Sequence, residues 1–243
     1  MNMNIHELKE YRDKHHVFAD RRDAGMTLGS MIKAEYGSIK DGLVLAIPSG
    51  GVPVGIAVSK TMDTPFDLII VRKLQIPGNP EAGFGAMTLD GCVIINELLR
   101  AEFFLSPTQI QEEEMRVHAE LESRNNLFRE GRPFPALKGK TVILVDDGIA
   151  SGYTMMASIH TVKREDVLQI IVAVPTAPVR SLEKVAAEVD AVFCPNIRSG
   201  PYFAVADAYR LWYDLNQQEV IVLLKRASMT KNVTIKNLAG GMI

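Results

Sequence analysis

Short apolar runs alternate with amphipathic segments along the 243 residues of the chain. Continuous apolar runs predict buried strands, and apolar positions that recur every three or four residues predict helices. The predicted strands span residues 43–47, 67–71, 92–95, 142–145, 168–174 and 191–194. The predicted helices span residues 18–36, 52–62, 106–129, 152–163, 178–188 and 217–226. This alternation indicates an α/β protein with a Rossmann-like, mostly parallel central sheet flanked by helices.

Three local features refine this outline. Residues 75–85 (QIPGNPEAGFG) are rich in glycine and proline, so they predict a mobile loop rather than a regular element. The strand after this loop is expected to pair with residues 86–89. The polar tail contains one possible strand, residues 233–235. Because no linker interrupts the pattern, we expect one domain over residues 1–226 and a tail over 227–243.

The composition excludes several classes of function. Hydrophobic residues make up 47% and charged residues 23%, and the net charge of −2 gives no strong field for nucleic acid or an anionic membrane. No apolar run reaches the roughly 20 residues of a membrane span, and the N-terminus is polar. Cys92 and Cys194 form no motif, and the five histidines have no metal-ligand spacing. We therefore expect a cytoplasmic protein that binds neither nucleic acid nor membrane and has no metal cluster of its own.

The chemistry is concentrated in VILVDDGIASGYT, residues 142–154, which begins as a buried strand. Asp146 and Asp147 end the strand, and small and hydroxylated residues follow. Such a turn exposes successive backbone N–H groups, and the next helix adds the positive end of its dipole, so the segment predicts a phosphate nest. The carboxylates cannot bind phosphate, but they can accept hydrogen bonds from sugar hydroxyls, hold Mg²⁺ waters or stabilise a developing cation. A phosphorylated sugar explains both halves of the segment.

Two further strand ends carry groups suited to anions. Residues 48–53 (PSGGVP) place two glycines before a helix, a pattern that permits exposed N–H groups. Arg72 and Lys73 follow the strand 67–71, at the root of the predicted loop, where two cations could close over a polyanion. Parallel sheets bind ligands beyond the carboxyl ends of their strands, so we expect these segments to meet at one edge.

Two other folds place carboxylates after a buried strand. A P-loop nucleotidase would need glycine at Phe134, ahead of Gly139-Lys140-Thr141, and that tripeptide precedes the strand instead of following it. A phosphoacceptor receiver domain has its acidic pair after the first strand of a domain about half this length. Neither pattern fits this chain.

VILVDDGIASGYT resembles the phosphoribosyl pyrophosphate signature of the type I phosphoribosyltransferases. Other segments are similar to one subfamily of predicted phosphoribosyltransferases of unassigned substrate: FADRRDAGMTLGSMI, IPSGGVPVG, VRKLQIPGNPEAGFGAM, ELESRNNLFREGRP and FAVADAY. Together they span about residues 18–224. The resemblance implies the type I phosphoribosyltransferase fold with a small hood region around residues 195–215, and a homodimer.

The resemblance also implies which residues bind phosphoribosyl pyrophosphate. Asp146 and Asp147 would hold the ribose 2′- and 3′-hydroxyls and, with Lys73, would form the catalytic set. The 5′-phosphate would be bound by the turn and helix start, namely Gly148, Ile149, Ala150, Ser151, Gly152, Tyr153 and Thr154. The pyrophosphate would be bound by Ser49, Gly50, Gly51, Arg72 and Lys73, with a cis peptide bond expected at Ser49–Gly50.

The implied reaction is displacement at the anomeric carbon through an oxocarbenium-like transition state. Pyrophosphate leaves with help from Mg²⁺, and a nitrogen acceptor, such as a nucleobase or related heterocycle, takes the phosphoribosyl group. Tyr202, Phe203 and Tyr209 either stack on this flat acceptor or belong to the core.

Two departures from the family pattern leave alternatives open. Ser49 stands where relatives commonly have arginine. An alternative function is therefore a non-catalytic protein that binds phosphoribosyl pyrophosphate or a nucleotide and regulates another process. Residues 195–201 (PNIRSGP) are unusual for the subfamily, so the acceptor stays unassigned. A kinase that makes phosphoribosyl pyrophosphate would need a separate ATP site, and the sequence shows none.

Overall fold

The computed structural model describes residues 4–227, apart from the side chains of residues 80–82. In that part of the chain the strands are β1 (Ile5–His6), β2 (Gly42–Ala46), β3 (Phe66–Leu68), β4 (Val71–Ile76), β5 (Asn79–Thr88), β6 (Val93–Ile95), β7 (Thr141–Val145), β8 (Gln169–Ala173), β9 (Thr176–Pro178), β10 (Ala191–Phe193) and β11 (Asn196–Arg198). The helices are α1 (Arg21–Tyr36), α2 (Gly51–Met62), α3 (Glu97–Glu102), α4 (Pro107–Arg129), α5 (Tyr153–Lys163), α6 (Val179–Ala186) and α7 (217–227). The possible strand at 233–235 lies outside the described residues.

Six strands form the central sheet in the order β1-β10-β8-β7-β2-β3, and every neighbouring pair is parallel. Both faces of the sheet are covered, because successive residues of a strand point to opposite sides. In β7, Val142 and Leu144 pack in a cluster with residues of α5 and α6. Ile143 and Val145 pack on the other face with residues of α1 and α2. The predicted α/β fold with a mostly parallel, helix-flanked sheet is confirmed.

A second sheet corrects the prediction for residues 67–85. β4, β5 and β6 form an antiparallel sheet, and only residues 77–78 turn between the first two strands. The prediction that residues 75–85 form no regular element is therefore wrong, because Gly78 (φ 79°) takes up the turn and the residues on either side of residues 77–78 belong to β4 and β5. That this segment is mobile stays a prediction. The predicted strand 67–71 is likewise divided between β3 and β4. The expected pairing around residue 86 is confirmed, since Ala86 pairs with Ile94.

Helix α4 covers this second sheet and begins where the sequence predicts. Ser106 accepts a hydrogen bond from the Gln109 backbone N–H, and the Gln109 side chain accepts one from Ser106 N, which together make a capping box. Val117 and Leu121 are fully buried in a cluster with residues of β4, β5 and α7. The helix is thereby fixed against the edge of the molecule where β4 and α7 meet.

The region predicted as a hood, around residues 195–215, packs against the N-terminal segment. β9 and β11 pair in parallel outside the central sheet. Phe18 N donates to the Ala208 carbonyl at 3.0 Å, and the Phe18 and Tyr209 rings lie in one small buried cluster. The Tyr209 hydroxyl donates to the Asp147 carbonyl at 2.6 Å, so this region contacts the carboxyl end of β7.

Candidate active site

The acidic pair and the glycine pair meet at the carboxyl end of the central sheet. β2 and β7 are hydrogen-bonded neighbours, so the loops that follow them leave the sheet side by side. A Cβ placed on Gly50 would overlap the Asp147 carboxylate, and one placed on Gly51 would lie 2.8 Å from the Val145 carbonyl oxygen. Only glycine permits this approach, which brings two distant motifs of the sequence into one site.

A buried arginine holds one member of the acidic pair. Arg21, at the start of α1, donates from Nε to Asp147 Oδ2 at 2.9 Å, and the side chains are only 7% and 16% exposed. The guanidinium also donates to the Tyr213 carbonyl at 2.8 Å and lies 3.8 Å from the Trp212 ring centroid. These contacts fix the orientation of the Asp147 carboxylate.

The two carboxylates differ in how well their charge is balanced. Asp146 Oδ1 accepts a hydrogen bond from Asp147 N at 2.8 Å, but its side chain makes no ion pair in the described part of the chain. Burial and the neighbouring Asp147 raise the pKa of Asp146 well above its usual range. Burial also raises the pKa of Asp147, and the Arg21 guanidinium opposes that rise. The site therefore favours a positively charged group near Asp146.

The turn between β7 and α5 has the form of an anion nest. Gly152 begins the helix at φ 89° and offers no capping side chain. Within the described residues, the backbone N–H groups of residues 150–155 have no acceptor in the protein. Ala150 and Ser151 are exposed, while Tyr153 and Thr154 are half-buried at the first turn of the helix. These N–H groups and the helix dipole suit a phosphate.

Two residues of this turn anchor it to the rest of the protein. The Ile149 side chain is buried, and its N–H donates to the Thr176 carbonyl at 2.9 Å. Its predicted contact with the phosphate is therefore wrong, since the N–H already has an acceptor. A Cβ on Gly148 would lie 2.5 Å from Val205, so Gly148 lets the hood region pack closely against the turn.

The loop before α2 differs from its prediction by one position. The cis peptide bond joins Pro48 and Ser49, not Ser49 and Gly50, and Gly50 has helical dihedral angles at the start of α2. Ser49 Oγ accepts a hydrogen bond from Arg124 Nη2 at 3.0 Å. A cavity of about 670 Å³ opens beside this contact; its lining includes Ser49, Arg72, Arg124 and the start of α7.

The two predicted cations lie on a strand, and therefore on different sides of it. Arg72 lines the cavity and donates from Nε to Glu120 Oε2 at 2.8 Å. Lys73 is exposed, does not line that cavity, and has its stem close to Gly83 on the neighbouring strand. The expectation that both residues follow a strand end is wrong, because they belong to β4, where neighbouring side chains alternate.

The three aromatic candidates for the acceptor site separate in the structure. Tyr209 is 1% exposed and belongs to the core, so its ring is not available to stack on an acceptor, and its predicted acceptor role is wrong. Burial raises the pKa of the Tyr209 hydroxyl well above its usual range. Tyr202 is 88% exposed and Phe203 is half-buried, so both stay candidates.

Sequence reasoning missed Arg21 and Arg124, although each lies in a segment quoted for the family resemblance. Both arginines lie at core-facing positions of amphipathic helices. A charged residue at such a position is rarely buried without a partner, and this was the signal in the sequence. No group of three or more His, Cys, Asp or Glu side chains is placed to hold a metal ion among residues 4–227. Nor does any helix in the described part of the chain have the length and apolar character of a membrane span.

Comparison with known proteins agrees with this arrangement. The family model described as a phosphoribosyl transferase domain matches residues 22–207. Two Mycobacterium tuberculosis proteins, "Putative phosphoribosyl transferase MT0597" (strain CDC 1551) and "Putative phosphoribosyl transferase Rv0571c" (strain H37Rv), are each 34% identical over 211 residues, 87% of this chain and 47% of their own length. The chain thus spans about half the length of these curated relatives. The crystal structure of TT1426 from Thermus thermophilus matches with a TM-score of 0.70 at 30% identity, over 86% of this chain and 98% of that one.

Proposed function

The chain belongs to the phosphoribosyl transferase domain family, and on this basis we propose that it transfers the 5-phosphoribosyl group from phosphoribosyl pyrophosphate to a nitrogen acceptor. The observation that carries the proposal is the contact between the loop at Gly50 and the carboxylate of Asp147. It brings the half-buried glycine loop next to the carboxylate pair, and the turn that we interpret as an anion nest follows Asp147 directly. A phosphorylated sugar with a second phosphate group at C1 presents matching groups at these three places.

Each part of the site has a distinct task in this proposal. The N–H groups of residues 150–154 bind the 5′-phosphate, and the loop at Ser49–Gly51 binds the pyrophosphate. Asp147, oriented by Arg21, accepts hydrogen bonds from ribose hydroxyls. Asp146 is the less compensated carboxylate, so its charge best stabilises positive charge that develops on the ribose ring.

Transfer breaks the bond between the anomeric carbon and the pyrophosphate oxygen and forms a bond from that carbon to the acceptor nitrogen. The pyrophosphate takes the electron pair of the broken bond, and the acceptor nitrogen gives up one proton. No covalent enzyme intermediate is required, and no nucleophilic side chain is needed at the site.

The acidic pair also fits Mg²⁺, which prefers oxygen ligands and is often held by one or two carboxylates together with substrate phosphates. Asp146 and Asp147 would hold the ion, directly or through its waters, and the ion would neutralise charge on the departing pyrophosphate. A cation there would offset the burial that raises the pKa of both carboxyl groups.

The direct test measures pyrophosphate release with Mg²⁺, phosphoribosyl pyrophosphate and nucleobases or related heterocycles added one at a time. We expect release that depends on one acceptor and is lost in Asp147→Asn. The control is Asp166→Asn, which removes an exposed carboxylate on the surface, paired with Lys138. Asp166 has φ 53°, a conformation that asparagine tolerates.

A regulatory binding protein is the second candidate, because Ser49 brings no cation of its own to the pyrophosphate loop. Tight binding of phosphoribosyl pyrophosphate by calorimetry, without release for any acceptor, would favour this function. Absence of binding would contradict both candidates. A cytoplasmic location and a homodimer also stay proposals, for which fractionation and light scattering are the measurements.

A further inference from the structure

Arg124 is a buried cation without a counter-ion in the described part of the chain. Its side chain is 9% exposed and lies on α4, facing the loop before α2. Nη2 donates to Ser49 Oγ at 3.0 Å, whereas the buried Nε has no hydrogen-bond acceptor among the described residues. A buried guanidinium with an unused donor is unfavourable unless an anion joins it.

Another buried arginine on the same helix shows what Arg124 lacks. Arg129 is 2% exposed, and its guanidinium donates to Asp67 Oδ1 at 2.6 Å and Oδ2 at 3.2 Å. It also donates to backbone carbonyls, including that of Leu68 at 3.2 Å. A structural arginine in this helix is thus fully paired, and Arg124 is not.

The groups around Arg124 increase its need for an anion. Its charged neighbour in the cavity is Arg72, another cation, and the nearby carboxylate of Glu120 already pairs with Arg72. Burial, followed by repulsion from Arg72, lowers the pKa of Arg124. Two guanidinium groups therefore line one cavity of about 670 Å³, and no Asp or Glu is among the described residues that line it.

We propose that Arg124 is a pyrophosphate-binding residue, which supplies from α4 the cation that Ser49 does not bring to the loop. The departing diphosphate lies between Ser49, Arg72 and Arg124. Its oxygens accept hydrogen bonds from Arg124 Nε and from the guanidinium of Arg72. This inference rests on the proposed function, since it assigns one end of the same substrate. It differs from the sequence expectation, in which Arg72 and Lys73 were the cations of the pyrophosphate site.

Binding of inorganic pyrophosphate with Mg²⁺, measured by calorimetry, tests the assignment without any turnover. We expect Arg124→Gln to weaken pyrophosphate binding by about 10- to 150-fold, the range for charge-assisted hydrogen bonds. Arg124→Lys keeps the charge but not the planar fork, so we expect an intermediate loss. Ribose 5-phosphate, which probes the nest and the acidic pair, should bind equally well to all three proteins.

Two controls separate binding from folding and from general charge. Arg132→Gln removes an exposed cation just beyond α4 and should leave pyrophosphate affinity unchanged. Arg124→Gln should unfold at a temperature no lower than that of the wild type, because it removes a buried charge without a counter-ion. Unfolding at a much lower temperature would show that Arg124 is structural and would overturn the proposal.

The outcomes distinguish this inference from the proposed function. If the wild type binds both ligands and Arg124→Gln binds pyrophosphate as tightly as the wild type, the assignment of Arg124 is wrong while the function stands. If pyrophosphate binding depends on Arg124 but no acceptor supports release, the subsite is supported and the transferase is not. If the wild type binds neither ligand, both proposals fail.

Discussion

The same substitution at the two neighbouring aspartates should change the free energy of unfolding by different amounts. Asp146→Asn removes the carboxylate whose pKa is raised most by burial and by Asp147. The new amide keeps an oxygen for the Asp147 N–H and can donate its N–H to the Asp147 carboxylate. Asp147→Asn removes the same charge but leaves Arg21, 7% exposed, without its counter-charge.

The magnitude follows from the polar groups that each change leaves unsatisfied. An incompletely paired buried polar group costs about 1–3 kcal/mol, so Asp146→Asn should raise the free energy of unfolding by about that amount at pH 8. For a domain of this size, each kcal/mol moves the melting temperature by roughly 2–4 °C. We therefore expect Asp146→Asn to melt about 2–12 °C above the wild type. Asp147→Asn should be about 1.5–3 kcal/mol less stable than Asp146→Asn, because a charged hydrogen bond is lost.

The gain in stability should depend on pH with a definite sign. The native state holds a proton on Asp146 more tightly than the unfolded chain does, since its native pKa is raised. Stability of the wild type is therefore lost as the pH rises from the ordinary aspartate range, about 3.9, through the raised native pKa. The asparagine variant does not titrate there, so its advantage should be near zero at the acidic end and grow with pH.

Thermal and urea unfolding of both variants between pH 4 and 8, beside a turnover assay, decides the matter. Both variants should lose turnover by about 10²–10³-fold, by analogy with the loss of one transition-state stabilising group. Equal melting temperatures for the two variants, or an Asp146→Asn protein less stable than the wild type at pH 8, would refute the reasoning. The charge asymmetry created by Arg21 would then have no energetic consequence.

Three further changes test other contacts of the site and fold. Gly50→Ala should abolish turnover and lower stability because its Cβ would overlap the Asp147 carboxylate, whereas Gly200→Ala, whose Cβ meets nothing nearer than 4.0 Å, should leave both the melting temperature and turnover intact. Arg21→Met should lower the free energy of unfolding in urea by about 3 kcal/mol, because it leaves Asp147 buried and unpaired. Adding Asp147→Asn to Arg21→Met should restore part of that free energy. A double variant no more stable than Arg21→Met would argue against the ion pair. Ser106→Ala should lower the free energy of unfolding by about 1 kcal/mol, because the helix cap is lost, and should leave turnover unchanged. A change in turnover would show that the start of α4 acts on the site.

The central sheet was predictable because its strands are buried on both faces and read as continuous apolar runs. For this reason all four ends of β7 and β8 were predicted to within one residue. The hairpin of β4 and β5 was not, because Pro77, Gly78 and Pro80 within eleven residues indicate a loop when only local composition is considered. The backbone pairing of β4 with β5, which runs from Val71 with Thr88 to Ile76 with Asn79, decides that segment, and local composition does not indicate it.

The parts of the site that lie in one continuous segment were predictable from the sequence, and the parts that depend on contacts between distant residues were not. Strand, acidic pair and small turn residues identified Asp146, Asp147 and the nest from one short segment. Arg21 is separated from Asp147 by 126 residues, and no periodicity links them. Likewise, the burial of Tyr209 follows from packing against Phe18, a contact that the sequence does not indicate.

Helix α4 joins the two parts of the proposed pyrophosphate subsite. Glu113, Arg116, Glu120 and Arg124 recur every three or four residues and so lie along one face of the helix. Glu113 accepts from Gln75 N at 2.6 Å and Glu120 from Arg72 Nε at 2.8 Å, which fixes the hairpin, while Arg124 reaches Ser49 in the other loop. If the diphosphate binds between Arg72 and Arg124 as proposed, we expect it to compete with Glu120 for Arg72 and so to weaken one contact between the hairpin and the helix. On that proposal, ligand occupancy and hairpin position would be coupled through a single face of α4.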